Sequence, residues 1–153
     1  MVIRNLESIY WSKWLLKFIS IYYFKGKRFL IERCLYFGLF LVKKKLDKNP
    51  LFYFFEVLEK IKPVMGLKVY KVPKRKLYKI KTIPFIIKFS TQYKKAITWL
   101  VKSIKLLKGI NLSFKIFQEF YSIIYKSNSG TLHKKKEYYK YILMFKVTKK
   151  FKW

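Results

Sequence analysis

Between Gly66 and Lys88 the chain changes its hydrophobic period, and that change limits the folds open to it. The stretch reads GLKVYKVPKRKLYKIKTIPFIIK. The pattern has a period of two: Leu67, Val69 and Lys71 fall on one side of an extended backbone, with Lys68, Tyr70 and Val72 on the other. β-Branched and aromatic residues favour that backbone. The basic break Pro73-Lys74-Arg75-Lys76 separates two such runs, so the segment is expected to form a hairpin over about 66–88. Pro84 has no N–H to donate, which suits a ribbon edge. Two strands are marginal alone in water and need something to lie on. Because the ribbon is cationic, that something is expected to include a polyanion.

Both flanks have helical spacing. Residues 8–24 carry Trp11, Trp14, Leu15, Phe18 and Tyr22 on one face, with Ser8 or Ser12 as a possible cap and Gly26 in the left-handed position after the end. A basic turn, Gly26-Lys27-Arg28, leads to a second helix through about Lys45. Its expected buried face is Leu30, Cys34, Phe37 and Leu41, and Gly38 would allow a close approach. Asn49-Pro50 starts a third helix, with Asn as N-cap and Pro in the first helical position. Its stripe is Leu51, Phe54, Phe55, Leu58 and Ile61; Glu56 and Lys60 are placed to pair, and Pro63 ends it.

After the ribbon, Ser90 is the expected cap of a fourth helix from about Gln92 to Lys108. Its core face is Ile97, Leu100, Val101, Ile104 and Leu107; Lys94, Lys95, Lys102, Lys105 and Lys108 take the other face. A fifth helix over 112–127 is expected to bury Phe117, Phe120, Tyr121 and Ile124. Thr131 would cap a last basic helix that begins His133-Lys134-Lys135-Lys136-Glu137. The fold class is therefore mainly α: a single domain over 1–153, with about six helices and a β-hairpin between the third and fourth.

Charge narrows the partners. Lys and Arg number 36 against 7 Asp and Glu, a net +29, while 52% of the chain is hydrophobic and 21% aromatic. Such an excess repels itself unless counter-charge is near, which implies RNA, DNA or an anionic membrane. The aromatic content implies a folded core, unlike a disordered basic tail. The longest apolar run, Cys34–Val42, is about half of what a bilayer span needs. The one cysteine, Cys34, forms no intrachain disulfide and no cysteine metal cluster, and His133 has no metal-binding companions in the sequence. Cys34 is expected to be a small core residue. Glu56 and Glu59 share a helix surface with lysines, a structural arrangement rather than an acid–base pair, and no phosphate-binding or nucleophile motif is present. A non-enzyme without cofactor or metal is expected. Residues rich in AT-type codons (Lys, Ile, Phe, Tyr, Leu) dominate, and Ala96 is the single alanine. This points to organelle-type DNA, with mitochondrion preferred over plastid. No presequence is evident ahead of the first helix.

Several stretches in order resemble ribosomal protein seven of the small subunit, in its bacterial and organellar form. Glu7-Ser8-Ile9-Tyr10-Trp11-Ser12 is similar to the family's D-x-x-[YF]-x-S, and Lys17-Phe18, Gly26-Lys27-Arg28 and Glu32 follow at matching spacing. Phe54…Leu58-Glu59…Ile61-Lys62-Pro63 resembles F-x-x-x-L-E-x-[VI]-[RK]-P. Ile83-Pro84-Phe85 resembles the second ribbon strand, and Ala96 and Trp99-Leu100 follow it. Gly130-Thr131…Lys134-Lys135-Lys136-Glu137 is similar to G-T-x-x-K-K-[RK]-E, and Phe151-Lys152-Trp153 to Y-R-W. Where the family carries an arginine pair just before the fourth helix, this chain has Thr91 and Gln92.

The resemblance implies a small-subunit ribosomal protein that binds the three-prime head domain of rRNA, nucleates head assembly and contacts neighbouring ribosomal proteins. It also implies a hairpin that reaches toward exit-site tRNA and mRNA. Candidate rRNA-binding residues are Lys27, Arg28, Lys68, Lys71, Lys88, Lys94, Lys95, Lys134, Lys135, Lys136 and Lys152. Candidates near tRNA are Lys74, Arg75, Lys76 and Tyr78. Tyr70 and Tyr78, on the ribbon, are the aromatics best placed to stack on bases. The competing reading is a basic, aromatic-rich peripheral membrane protein.

Overall fold

Described by a computed structural model are residues 13–23, 26–46, 49–74, 77–109, 111–126 and 128–147, with the side chains of 46, 70–74, 77–81, 126 and 145–147 excepted. The first helix, α1, is described over 13–22. It is followed by α2 (Arg28–Leu46), α3 (Pro50–Ile61), β1 (Met65–Lys74), β2 (Leu77–Ile86), α4 (Phe89–Leu106), α5 (Leu112–Tyr121) and α6 (Gly130–Val147). A π-helical turn, Ser122–Lys126, extends α5. The expected helical fold with one hairpin between α3 and α4 is what forms. Trp11 and the expected caps Ser8 and Ser12 lie outside the described residues.

The core sits where α1, α3, α4 and α5 meet. Phe18 of α1 meets the edge of Phe54 of α3, their centroids 6.2 Å apart, and Phe54 lies 5.9 Å from Phe120 of α5. Trp14 packs on Tyr93 of α4 at 4.8 Å. Such offset and edge contacts are the favoured aromatic geometries, so a core rich in Phe and Tyr can pack densely. Tyr53 is fully buried and donates its hydroxyl to the Phe120 carbonyl at 3.3 Å. Burial pushes that phenol well above its ordinary pKa, which keeps it neutral and able to donate.

α3 follows its sequence closely. The Asn49 side chain accepts from the Leu51 N–H at 3.1 Å, Pro50 occupies the first position, and Pro63 follows the last turn. The expected Glu56–Lys60 pair is not what Lys60 makes: its ammonium crosses to the Ile124 carbonyl in the π turn, at 3.2 Å. That carbonyl lies in the last turn of the helical segment, where C=O groups lack an intrahelical partner.

Elsewhere the register differs from expectation. α2 buries Ile31, Leu35, Leu39 and Val42, while Leu30 and Phe37 are exposed and Cys34 and Leu41 are half-buried. This helix is apolar on every side, so periodicity alone does not choose a face. Gly38 chooses it. A Cβ there would lie 3.1 Å from the Ser113 carbonyl oxygen and 3.2 Å from Ile116, so this face alone lets α2 approach α5. α5 in turn buries Ile116, Phe120 and Ile123, and Phe117, Tyr121 and Ile124 are only half-buried. α4 begins at Phe89, three residues earlier than Gln92, with Lys88 as its N-cap residue and no side-chain cap from Ser90. α6 is capped by Ser129, whose hydroxyl accepts from the Leu132 N–H at 3.1 Å, and not by Thr131.

The ribbon pairs Met65 with Ile86 through to Lys74 with Leu77. Pro73 is thus inside β1, opposite Tyr78, and the break is shorter than the four residues expected. In the register each described strand lysine is paired with an uncharged residue: Lys68, Lys71, Lys74, Lys79 and Lys81 stand opposite Ile83, Ile80, Leu77, Val72 and Tyr70. At the root, Val64 donates its N–H to the Tyr139 hydroxyl of α6 at 2.8 Å, and its carbonyl accepts from Ile87 N–H at 3.0 Å.

Candidate nucleic-acid interface

Two groups of lysines differ in what their ammonium groups do. The first lies between α1 and the start of α4. Trp14 packs on Tyr93 and fixes the two helices side by side. Lys13 and Lys17, one helical turn apart on α1, then line a cleft with Ser90, Thr91 and Lys94 of α4. All five of these residues are exposed. The first N–H groups of a long helix add a partial positive charge beside them. Three ammonium groups and two hydroxyls around one opening suit a phosphate backbone.

Lys13 and Lys17 were not among the sequence candidates. The signal that would have found them is their i,i+4 spacing opposite the buried Trp14–Phe18 face. Thr91 and Gln92 stand inside the first turn of α4 and not ahead of it. Gln92 is buried and donates to the Ile87 carbonyl at 2.8 Å, holding the ribbon exit against the helix start.

The second group is at the start of α6. Glu119 of α5 is 2% exposed, and it accepts from the Thr131 hydroxyl at 2.6 Å and from the Thr131 N–H at 3.0 Å. A buried carboxylate thus satisfies two donors at the start of α6 and fixes its rotation. With that rotation, Lys135 folds inward and donates to the Lys60 carbonyl at 2.6 Å. Burial, with Lys62 nearby, lowers its pKa. The Lys134 ammonium is enclosed without a hydrogen-bond partner, and burial lowers its pKa despite the opposing pull of Glu119. Lys136 is exposed. His133 is exposed, with Glu137 3.5 Å away.

Of the other candidates, Lys27, Arg28, Lys68, Lys88 and Lys94 are exposed. Lys95 donates to the Tyr138 hydroxyl at 2.9 Å and lies over that ring, so it ties α4 to α6. Lys71, Lys74 and Tyr78 occupy paired positions on the strands, but their side chains are outside those described. Arg75, Lys76 and Lys152 lie outside the described residues, and the Tyr70 side chain is likewise not described. Among the acids, Glu59 accepts from the Tyr93 hydroxyl and pairs with Lys62, which commits it to structure. Among the described residues no cluster of His, Cys, Asp and Glu could hold a metal, and no helix is long and apolar enough to cross a membrane.

The model of the family described as ribosomal protein S7p/S5e matches residues 2–142. The chain belongs to that family. It is thereby a small-subunit ribosomal protein, of a structural rather than an enzymatic kind. Curated relatives carry the name small ribosomal subunit protein uS7. That of Wigglesworthia glossinidia brevipalpis is 30% identical over 126 residues, covering 82% of this chain and 77% of its own. The relative from Thermotoga neapolitana is 26% identical over 131 residues, covering 86% and 81%. The one from Pelotomaculum thermopropionicum is 25% identical over 147 residues, covering 96% and 91%. The S7 family match spans α1, both strands and most of α6, so the lysine cleft and the ribbon root lie within it.

Proposed function

We propose that this S7-family chain binds the three-prime head domain of small-subunit rRNA, with the α1–α4 cleft as a principal phosphate contact. The observation that carries this reading is the convergence of Lys13, Lys17 and Lys94 with Ser90 and Thr91 on one opening, in a chain of net +29. Binding releases counterions from RNA, and A-form helices are recognised by shape and backbone, so affinity depends on salt more than on sequence. The ribbon carries charge away from the helical core. We assign its tip, around Lys74, Arg75 and Lys76, to RNA of the exit site, either tRNA or rRNA, near mRNA. Codon-biased composition supports an organellar ribosome, with mitochondrion preferred.

The test is binding to a head-domain rRNA fragment across a salt series, with anionic liposomes as competitor. The expected log–log slope is several units, at roughly 0.7 to 0.9 per phosphate contact. A flat salt response, or preference for liposomes, overturns the reading. Deleting 73–76 should leave head assembly nearly intact and loosen exit-site tRNA. Loss of assembly with normal tRNA retention would make the ribbon an assembly clamp instead.

A further inference from the structure

The outer face of α2 exposes a row of large apolar side chains. Phe29, Leu30, Tyr36, Phe37 and Phe40 are 79%, 55%, 53%, 51% and 56% exposed. Phe29, Arg33, Tyr36, Phe37 and Phe40 follow helical spacing along about 16 Å, and with Glu32 they line a shallow groove. A contiguous exposed aromatic surface of this kind marks an interaction site. Its charge tells which kind. From Phe29 to Val42 the chain has one cation, Arg33, and one acid, Glu32, so this stretch is neutral within a protein of net +29. A surface that binds RNA needs cations, and here they are lacking. Cations resume at both ends: Arg28 before the groove and Lys43 and Lys44 after it, all exposed, while Lys45 lies over the Phe117 ring of α5. A second copy of this chain would bring like charge to each end, on two molecules each of net +29.

We propose that this face docks a neighbouring protein through an amphipathic helix of that protein, with an apolar stripe for the aromatic groove and acidic residues at both ends. Aromatic side chains and arginine, the residue types present here, dominate the binding energy of protein interfaces. The complementary charges at the two ends fix the position of the partner helix along α2. This proposal does not rest on the α1–α4 cleft as an RNA contact, since the groove is built from α2 alone.

The probe is a synthetic helical peptide with a leucine stripe and Glu at both ends, titrated against the full chain and read by fluorescence anisotropy. Two control peptides complete the set: one of identical charge with the leucines dispersed, and one with Lys at both ends. The striped acidic peptide should bind roughly 10-fold or more tightly than either control. Phe37→Glu and, separately, Phe29→Glu should remove that advantage while leaving helicity and rRNA affinity unchanged. Both positions are exposed, so folding does not depend on them. Equal binding of the striped and dispersed peptides overturns the proposal. So does loss of rRNA affinity in the Phe variants, which would assign the face to RNA. Concentration-dependent dimerisation that Phe37→Glu abolishes would assign it to a second copy.

Discussion

The lysines of the α1–α4 cleft and those at the start of α6 look alike as sequence but behave in opposite ways. Lys13, Lys17 and Lys94 are separated along the chain, yet they converge on an opening in which all three are exposed. Lys134, Lys135 and Lys136 are adjacent, the stronger signal by eye, but the first two turn inward. A run of charge measures how much cation a segment carries. Which ammonium groups remain available is decided by helix rotation, and for α6 that rotation is set by Glu119.

The contrast makes ordered predictions. The largest effect should come from reversing Lys13, Lys17 and Lys94 to Glu. Affinity for head-domain rRNA should fall roughly 100-fold or more near physiological salt, with a salt slope smaller by about two to three units. The same reversal at Lys134, Lys135 and Lys136 should cost RNA affinity less per residue. If it costs more, the contrast fails.

Next in size is Glu119→Ala, which leaves two buried donors of Thr131 without their acceptor. Urea unfolding should show a loss of about 2–4 kcal/mol, and Glu119→Gln, which still offers an oxygen, a smaller one. A neutral Glu119→Ala would mean that the start of α6 is held by something else.

The smallest is Lys134→Met, which removes an enclosed ammonium that lacks a hydrogen-bond partner. The melting temperature should rise by roughly 1–3 °C at neutral pH. The sign with pH follows from linkage. The folded-state pKa of Lys134 is lowered, so between that lowered value and the ordinary 10.5 the unfolded chain binds more protons, and wild-type stability rises with pH through that window. The advantage of the Met variant should therefore shrink toward pH 10.5. An advantage that grows with pH would show that the ammonium is not the destabilising group.

Much of the fold could be read from single residues with strong local rules. Asn49-Pro50, Pro63 and the alternation after Gly66 each act through the backbone of their own segment, and each placed an element correctly. Gly26 has the positive φ, 78°, expected of it. The face of α2 could not be read that way, because its apolar residues surround the helix and the choice rests on what lies opposite Gly38. The same applies to Thr131, which has the chemistry of a cap but sits two residues beyond the capping position, Ser129. Its hydroxyl is claimed by a glutamate twelve residues earlier. For the interface, sequence supplied exposed candidates such as Lys27, Arg28 and Lys94. It missed Lys13 and Lys17, whose relevance depends on α1 and α4 lying side by side.

The bond from Val64 N–H to the Tyr139 hydroxyl has a mechanical meaning. Each strand of the ribbon has ten residues, so the arm is roughly 30 Å long. Over that length a tilt of about 5° at the root displaces the tip by roughly 3 Å, on the scale of a hydrogen bond. Tyr139 sits at the fulcrum, and its neighbour Tyr138 is gripped by Lys95 and faced by Trp99 of α4. A load on the far end of the arm is therefore transmitted as torque to α6 and on to α4. Tyr139→Phe, which keeps the ring and removes the hydroxyl, would loosen the hinge without shortening the lever.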